Sequence, residues 1–172
     1  SSTVSGGSSR LVSMAGGSAS HATRGDRDYG IFGSGNVAKD RTMDPGKTAP
    51  LGGRSVLVTG AARRIGAAIT RTLHAQGANV VIHCHRSGAA ARELAAVLNG
   101  MRSGSAVVTE ADLLDCDSFA PLVEAATLAF GRLDILVNNA SSFYPTPVGE
   151  ITLAQWEDLM GTNLRAPLFL SQ

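Results

Sequence analysis

The chain has 172 residues, 44% of them hydrophobic and 17% charged, and its 15 basic against 14 acidic side chains leave a net charge of +1. That balance gives no electrostatic footprint for nucleic acid or an anionic membrane, and no apolar run approaches the ~20 residues a membrane-spanning helix needs. Two cysteines, Cys84 and Cys116, make no disulfide framework and no set of metal ligands, so a reducing, cytoplasmic setting and no metal are expected.

The average hides two unlike parts. Residues 1–50 hold nine Gly and nine Ser, with only six Leu, Ile, Val or Phe positions. Such a composition buries too little apolar surface to offset its ordering entropy, and a disordered Gly/Ser-rich extension is expected there. Its first 24 residues carry two Arg and no acid, but no amphipathic period supports a targeting helix. Residues 51–172 are expected to form the folded domain.

From Arg54 the pattern changes to strands alternating with helices. Arg54 to Thr59 (R-S-V-L-V-T) fits a strand buried on both faces and ends at Gly60. Ile65, Ala68, Ile69, Thr72 and Leu73 then recur at helical spacing up to Gln76, and Gly77 supplies a left-handed stop. Asn79 to Cys84 is the second strand. Ala89 to Asn99 is the second helix, with Leu94, Val97 and Leu98 on one face and Gly100 closing it. Ser105 to Thr109, a helix from Asp117 to Phe130 ending at Gly131, and the apolar strand Leu133 to Val137 follow. Thr152 and Gln155 have the spacing of a capping box, opening a helix with Leu153, Trp156, Leu159 and Met160 on one side. Successive strand-helix units imply parallel pairing with right-handed crossovers. The expected fold is a doubly wound α/β parallel sheet of Rossmann type, cut short after the helix that follows its fourth strand.

The chemistry gathers at the carboxyl ends of the strands. The first strand-to-helix turn, Thr59 to Gly66, reads T-G-A-A-R-R-I-G. In a dinucleotide fold the first glycine makes the tight turn, the last lets helix and strand approach, and helix-end amides face a pyrophosphate; here Arg64 replaces the middle glycine. Gly60 and Gly66 as packing glycines is the plainer alternative. After the second strand, H-C-H-R-S (His83 to Ser87) contains no carboxylate to read a ribose hydroxyl. Arg86, twenty residues after Gly66, offers a planar cation for the extra phosphate that separates NADP from NAD. Asp112 fits an adenine amino group, with Leu113 beside the ring, or equally a turn residue. N-N-A-S-S-F-Y-P, Asn138 to Pro145, ends the fourth strand, and two adjacent asparagines there need partners if buried.

T-G-x-x-x-x-x-G, then N-N-A, then Asn163 in N-L-R-A-P resembles the short-chain dehydrogenase/reductase family. Arg64, H-x-H-R-S and N-N-A-S-S-F-Y-P-T-P together resemble its pteridine reductases, over roughly residues 52–172. The resemblance implies NADPH as cofactor, held by Thr59, Gly60, Arg64, Ile65 and Gly66 in the turn and by His85, Arg86 and Ser87 at the 2′-phosphate. It further implies Asp112 and Leu113 at adenine, and Asn138, Asn139 and Ala140 beside the nicotinamide. Arg64, Ser141 and Phe143 would meet a flat pterin, with Phe143 stacked on it, and Asn163 would be the asparagine that organises the family's proton relay. Reduction of a pterin carbon–nitrogen double bond and a homo-oligomer of the full-length protein are implied as well.

The family's catalytic Tyr and Lys, four residues apart, are not among these residues: Lys39 and Lys47 precede the fold, and Tyr29 and Tyr144 have no Lys four places on. An enzymatic parent and an inactive partial chain are therefore expected, with the fourth strand left at a sheet edge. Two alternatives remain open at this level, a reductase of carbonyl or acyl-thioester substrates and a non-catalytic NADP-binding module.

Overall fold

The computed structural model describes residues 49–172, so the segment expected to be a disordered extension lies, but for its last two residues, outside the described residues. The described part alternates β1 (Ser55–Val58), α1 (Arg64–Ala75), β2 (Asn79–Cys84), α2 (Gly88–Met101), β3 (Ala106–Glu110), α3 (Phe119–Phe130), β4 (Ile135–Val137), α4 (Leu153–Met160) and α5 (Ala166–Leu170). A 3₁₀ turn, Cys116–Ser118, leads into α3, so that helix begins two residues later than its apolar spacing predicts. All strands pair in parallel, in the order β3-β2-β1-β4.

Helices cover both faces of the sheet, and period-two alternation along the strands assigns each side chain to a layer. Val56, Val58, Val80 and Ile82 face Ala91, Leu94 and Leu98 of α2 and the inner side of α1. Leu57, Val81 and Leu136 face Phe119, Leu122 and Ala126 of α3 together with Ala166 and Leu170 of α5. Among the described residues β4 pairs with β1 alone and forms the sheet edge.

The stripe that α1 buries differs from the one its apolar residues predict. Gly66, Thr70 and His74 are buried, while Ile65 is 66% exposed and Ala68 and Thr72 are exposed. Close approach to the sheet decides this: Thr70 bonds back to the Gly66 carbonyl at 2.8 Å, and His74 Nε2 meets Ser105 Oγ at 2.7 Å. Burial and the nearby Arg102 guanidinium lower the pKa of His74, consistent with a neutral imidazole there. In α2 the buried set is Ala91, Leu94, Ala95 and Leu98, with Val97 exposed, and the helix runs through Gly100 to Met101 rather than closing at it. Gly77 and Gly131 have positive φ at the ends of α1 and α3, where the sequence predicts left-handed stops.

At the amino ends of β1 and β4, buried Asp134 ties the two strands. Its carboxylate accepts from Arg54 Nη1 at 2.8 Å, the Ser55 amide at 2.9 Å and Arg132 Nε at 2.8 Å. Beyond β4, Thr152 caps α4 in the predicted capping box. A π-helical turn, Gly161–Arg165, joins α4 to α5, with the Ala166 amide bonding the Gly161 carbonyl five residues back. Pro167 has no N–H to give the Asn163 carbonyl four residues earlier, which favours the wider turn at that point. Leu153 and Trp156, two of the four apolar residues predicted on one side of α4, are exposed.

Candidate functional site

The chain turns from one side of the sheet to the other between β3 and β4, which leaves a crevice beyond the carboxyl ends of β1 and β4, where ligands of open α/β sheets bind. Two segments meet there, the turn Thr59–Gly66 and the run Asn138–Tyr144. Thr59 Oγ1 donates to the Val137 carbonyl at 3.3 Å and accepts from the amides of Asn139 and Ala140, both at 3.0 Å. Asn139 returns the contact, its side-chain amide donating to the carbonyls of Thr59 at 2.9 Å and Gly60 at 3.2 Å. Its partners are therefore backbone groups of the turn, the structural role the paired asparagines were expected to need. Asn138 is buried and donates to Ser171 Oγ at 3.3 Å.

Gly66 makes this junction sterically feasible. A Cβ there would lie 2.2 Å from the Gly60 carbonyl oxygen, 2.7 Å from Asn139 Nδ2 and 2.9 Å from Ala61 Cα. Gly60 has φ +62°, and a Cβ on it would touch Ala140 Cα at 3.0 Å. Arg64 has φ +49°, a left-handed conformation at the place of the family's middle glycine, and its side chain is exposed beside exposed Ile65. Arg64→Gly is expected to raise stability by roughly 0.5–1 kcal/mol through relief of this conformation, read as an upward shift in the thermal midpoint.

At the end of β2, His85 and Arg86 are exposed, and Ser87 is the residue preceding the first turn of α2. Arg86 makes no hydrogen bond or ion pair among the described residues. His85 Nδ1 lies 3.7 Å from Asp112 Oδ1, bringing the β2 and β3 ends together. Asp112 also accepts the Leu114 amide at 3.0 Å, the turn role anticipated as its alternative. Leu113 is buried in the core layer that β1, β2 and α3 share.

After β4, Asn163 grips the loop through both edges of Ser142: its Oδ1 accepts the Ser142 amide at 3.0 Å and its Nδ2 donates to the Ser142 carbonyl at 2.9 Å. Ser142 Oγ donates to Asp158 Oδ1 at 3.1 Å, and Tyr144 donates to the Gln155 carbonyl at 3.3 Å. This fixed loop carries Ser141, exposed, and Phe143, whose ring is 75% exposed. Ser142 and His83 escape sequence reasoning. His83 shares the face of Val81 on β2, a strand buried on both faces, and a polar side chain at that period-two position was the available signal. Among the described residues no group of three or more His, Cys, Asp or Glu is arranged to hold a metal, and no helix is long and apolar enough to cross a membrane.

A parallel sheet whose first strand ends in a close-packed glycine turn, with a second loop pinned across it, defines a dinucleotide-type α/β protein. The chain belongs to the short chain dehydrogenase family, whose pattern it matches over residues 54–172. Pteridine reductase 1 of Leishmania tarentolae is 41% identical over 159 residues, covering 74% of this chain and 54% of that protein. A short-chain type dehydrogenase/reductase of Picea abies is 37% identical over 130 residues, covering 71% and 48%. Among solved structures, a short chain dehydrogenase from Burkholderia cenocepacia in complex with NADP is 37% identical with a TM-score of 0.68, covering 71% of this chain and 49% of that one. The chain thus spans about half the length of the relatives it matches.

Proposed function

We propose that the full-length protein is an NADPH-dependent reductase of pterins or dihydropterins, and that residues 51–172 supply its cofactor-binding half and one wall of its substrate site. The observation that carries this reading is the exposed Phe143 ring on a loop held at both edges of Ser142 by Asn163. An exposed aromatic ring on a loop held by hydrogen bonds suits a flat heterocycle, and Arg64 adds a cation at the turn after β1.

The chain's residues fit NADPH. The Gly60–Gly66 turn leaves no room for a Cβ at its close approach, the β2 end has no carboxylate, and the guanidinium of Arg86 is exposed with Ser87 beside it. Thr59, Gly60, Arg64, Ile65 and Gly66 would hold the pyrophosphate side, His85, Arg86 and Ser87 the 2′-phosphate, and Asp112 the adenine. Asn138, Ala140 and Ser141 would border the nicotinamide, with Asn139 and Asn163 positioning the two loops. NADPH supplies a hydride to a pterin carbon–nitrogen double bond. Proton delivery is assigned to the longer protein, because no Tyr in these 172 residues has a Lys four places on, and the chain by itself is expected to bind NADPH without turnover. A homo-oligomer of the full-length protein belongs to the same proposal.

Two measurements test this. In the full-length protein, dihydrobiopterin should be turned over with NADPH while acetoacetyl thioesters are not; the reverse preference would reassign it to carbonyl substrates. Arg86→Ala should weaken NADPH binding roughly 10- to 100-fold, the loss of one charge-assisted contact, and leave NADH binding unchanged. Equal losses for both dinucleotides would remove Arg86 from the phosphate.

A further inference from the structure

His83 is 2% exposed at the end of β2 and takes part in three contacts between segments that meet at the crevice. The Gly60 amide points at Nδ1 from 3.3 Å, and Nε2 lies 3.1 Å from the Ala111 carbonyl oxygen. The backbone carbonyl of His83 accepts the Ala61 amide at 2.8 Å. A backbone N–H only donates and a carbonyl oxygen only accepts, so the two ring contacts together require a neutral imidazole with its proton on Nε2.

We propose that His83 is a positioning residue for the cofactor: in this one tautomer it fixes the spacing between the glycine turn at Gly60 and the β3 end at Ala111, the residue before Asp112. The inference rests on the NADPH reading above. The ring joins the two places that would contact the pyrophosphate and the adenine of the dinucleotide, although its position in the sheet gives it no surface of its own in the crevice. Burial, the largest influence, lowers its pKa, in keeping with the neutral form. A doubly protonated ring would turn an N–H toward the Gly60 N–H and lose that contact.

The carboxamides of Asn and Gln separate the two contacts. His83→Asn places an oxygen near the Nδ1 position, where it accepts from Gly60. His83→Gln places its amide nitrogen near the Nε2 position, where it donates to Ala111, and leaves the Gly60 amide without its acceptor. NADPH titrated by fluorescence against the 172-residue chain should bind about tenfold more weakly to His83→Gln and to His83→Asn alike, the worth of one hydrogen bond, with circular dichroism unchanged, because each variant keeps only one side of the bridge. Nitrogen-15 NMR of the wild-type imidazole should show the Nε2–H tautomer. A proton on Nδ1, or wild-type affinity in either His83→Gln or His83→Asn, overturns the proposal. If His83→Gln does not fold, the tautomer and the His83→Asn affinity decide it. A folded wild-type chain that binds no NADPH overturns the cofactor reading, and the positioning role with it, even where the tautomer is the expected one.

Discussion

Gly66→Ala is expected to destabilise the protein by about 2–3 kcal/mol, lowering the thermal midpoint by on the order of 10 °C. The added methyl would meet the Gly60 carbonyl oxygen at 2.2 Å and Ala61 Cα at 2.9 Å. These are backbone atoms, so relief requires α1 to move from β1 or the turn to open, and either movement disturbs the bonds from Asn139 to Thr59 and Gly60. The same substitution at Gly100 provides the control. Gly100 is an exposed position inside α2 with nothing within 4 Å of a Cβ, and alanine there should stabilise by roughly 0.5–1 kcal/mol through helix propensity. Equal effects at the two sites in calorimetric melts would contradict the close-approach account.

Asp134→Ala is the second large effect, about 2–3 kcal/mol of lost stability at neutral pH. Burial by itself raises the carboxyl's pKa, but the Arg132 side chain, the Ser55 amide and Arg54 outweigh it and lower the value from 3.8 to about 2. A depressed folded-state pKa means that the carboxylate's contribution is fully present above the unfolded value near 3.8 and disappears as pH falls through about 2. A shift of that size corresponds to between about 2 and 3 kcal/mol at most. Both guanidiniums are more than half exposed, so solvent and salt screening reduce the ionic part, while the buried Ser55 amide left without its acceptor adds to the loss. Urea denaturation of wild type and variant should show a gap that is constant from neutral pH down to about 4 and then narrows. A gap independent of pH would assign Asp134 a packing role alone.

The same strand shows what a sequence does and does not make visible. In R-L-D-I-L-V the apolar residues mark β4 plainly, but the role of Asp134 is not visible there, because Arg54 and the Ser55 amide, 80 and 79 residues away, become its partners only when β1 and β4 align. The stripe on α1 fails similarly. Hydrophobicity selects Ile65 and Ala68, whereas the clearance demanded by Gly60 and the partner at Ser105 select Gly66, Thr70 and His74 for the inward face. Capping of α4 was legible because a capping box is local, with donors and acceptors three residues apart. The π turn after α4 was not, although Pro167 carries its cause.

Local periodicity and turn chemistry were enough to determine the succession of strands and helices, the glycine turn and the absence of a carboxylate after β2, since each depends on neighbours within about a dozen residues, and the alternation of the elements then implied parallel pairing. Tertiary structure alone decided that Asn139 serves the turn, that Leu113 turns into the core, that Asn163 holds the Phe143 loop through Ser142 and that His83 spans Gly60 and Ala111. Those contacts join residues 21 to 80 positions apart, and their hydrogen-bonding partners come within reach only after the sheet has assembled.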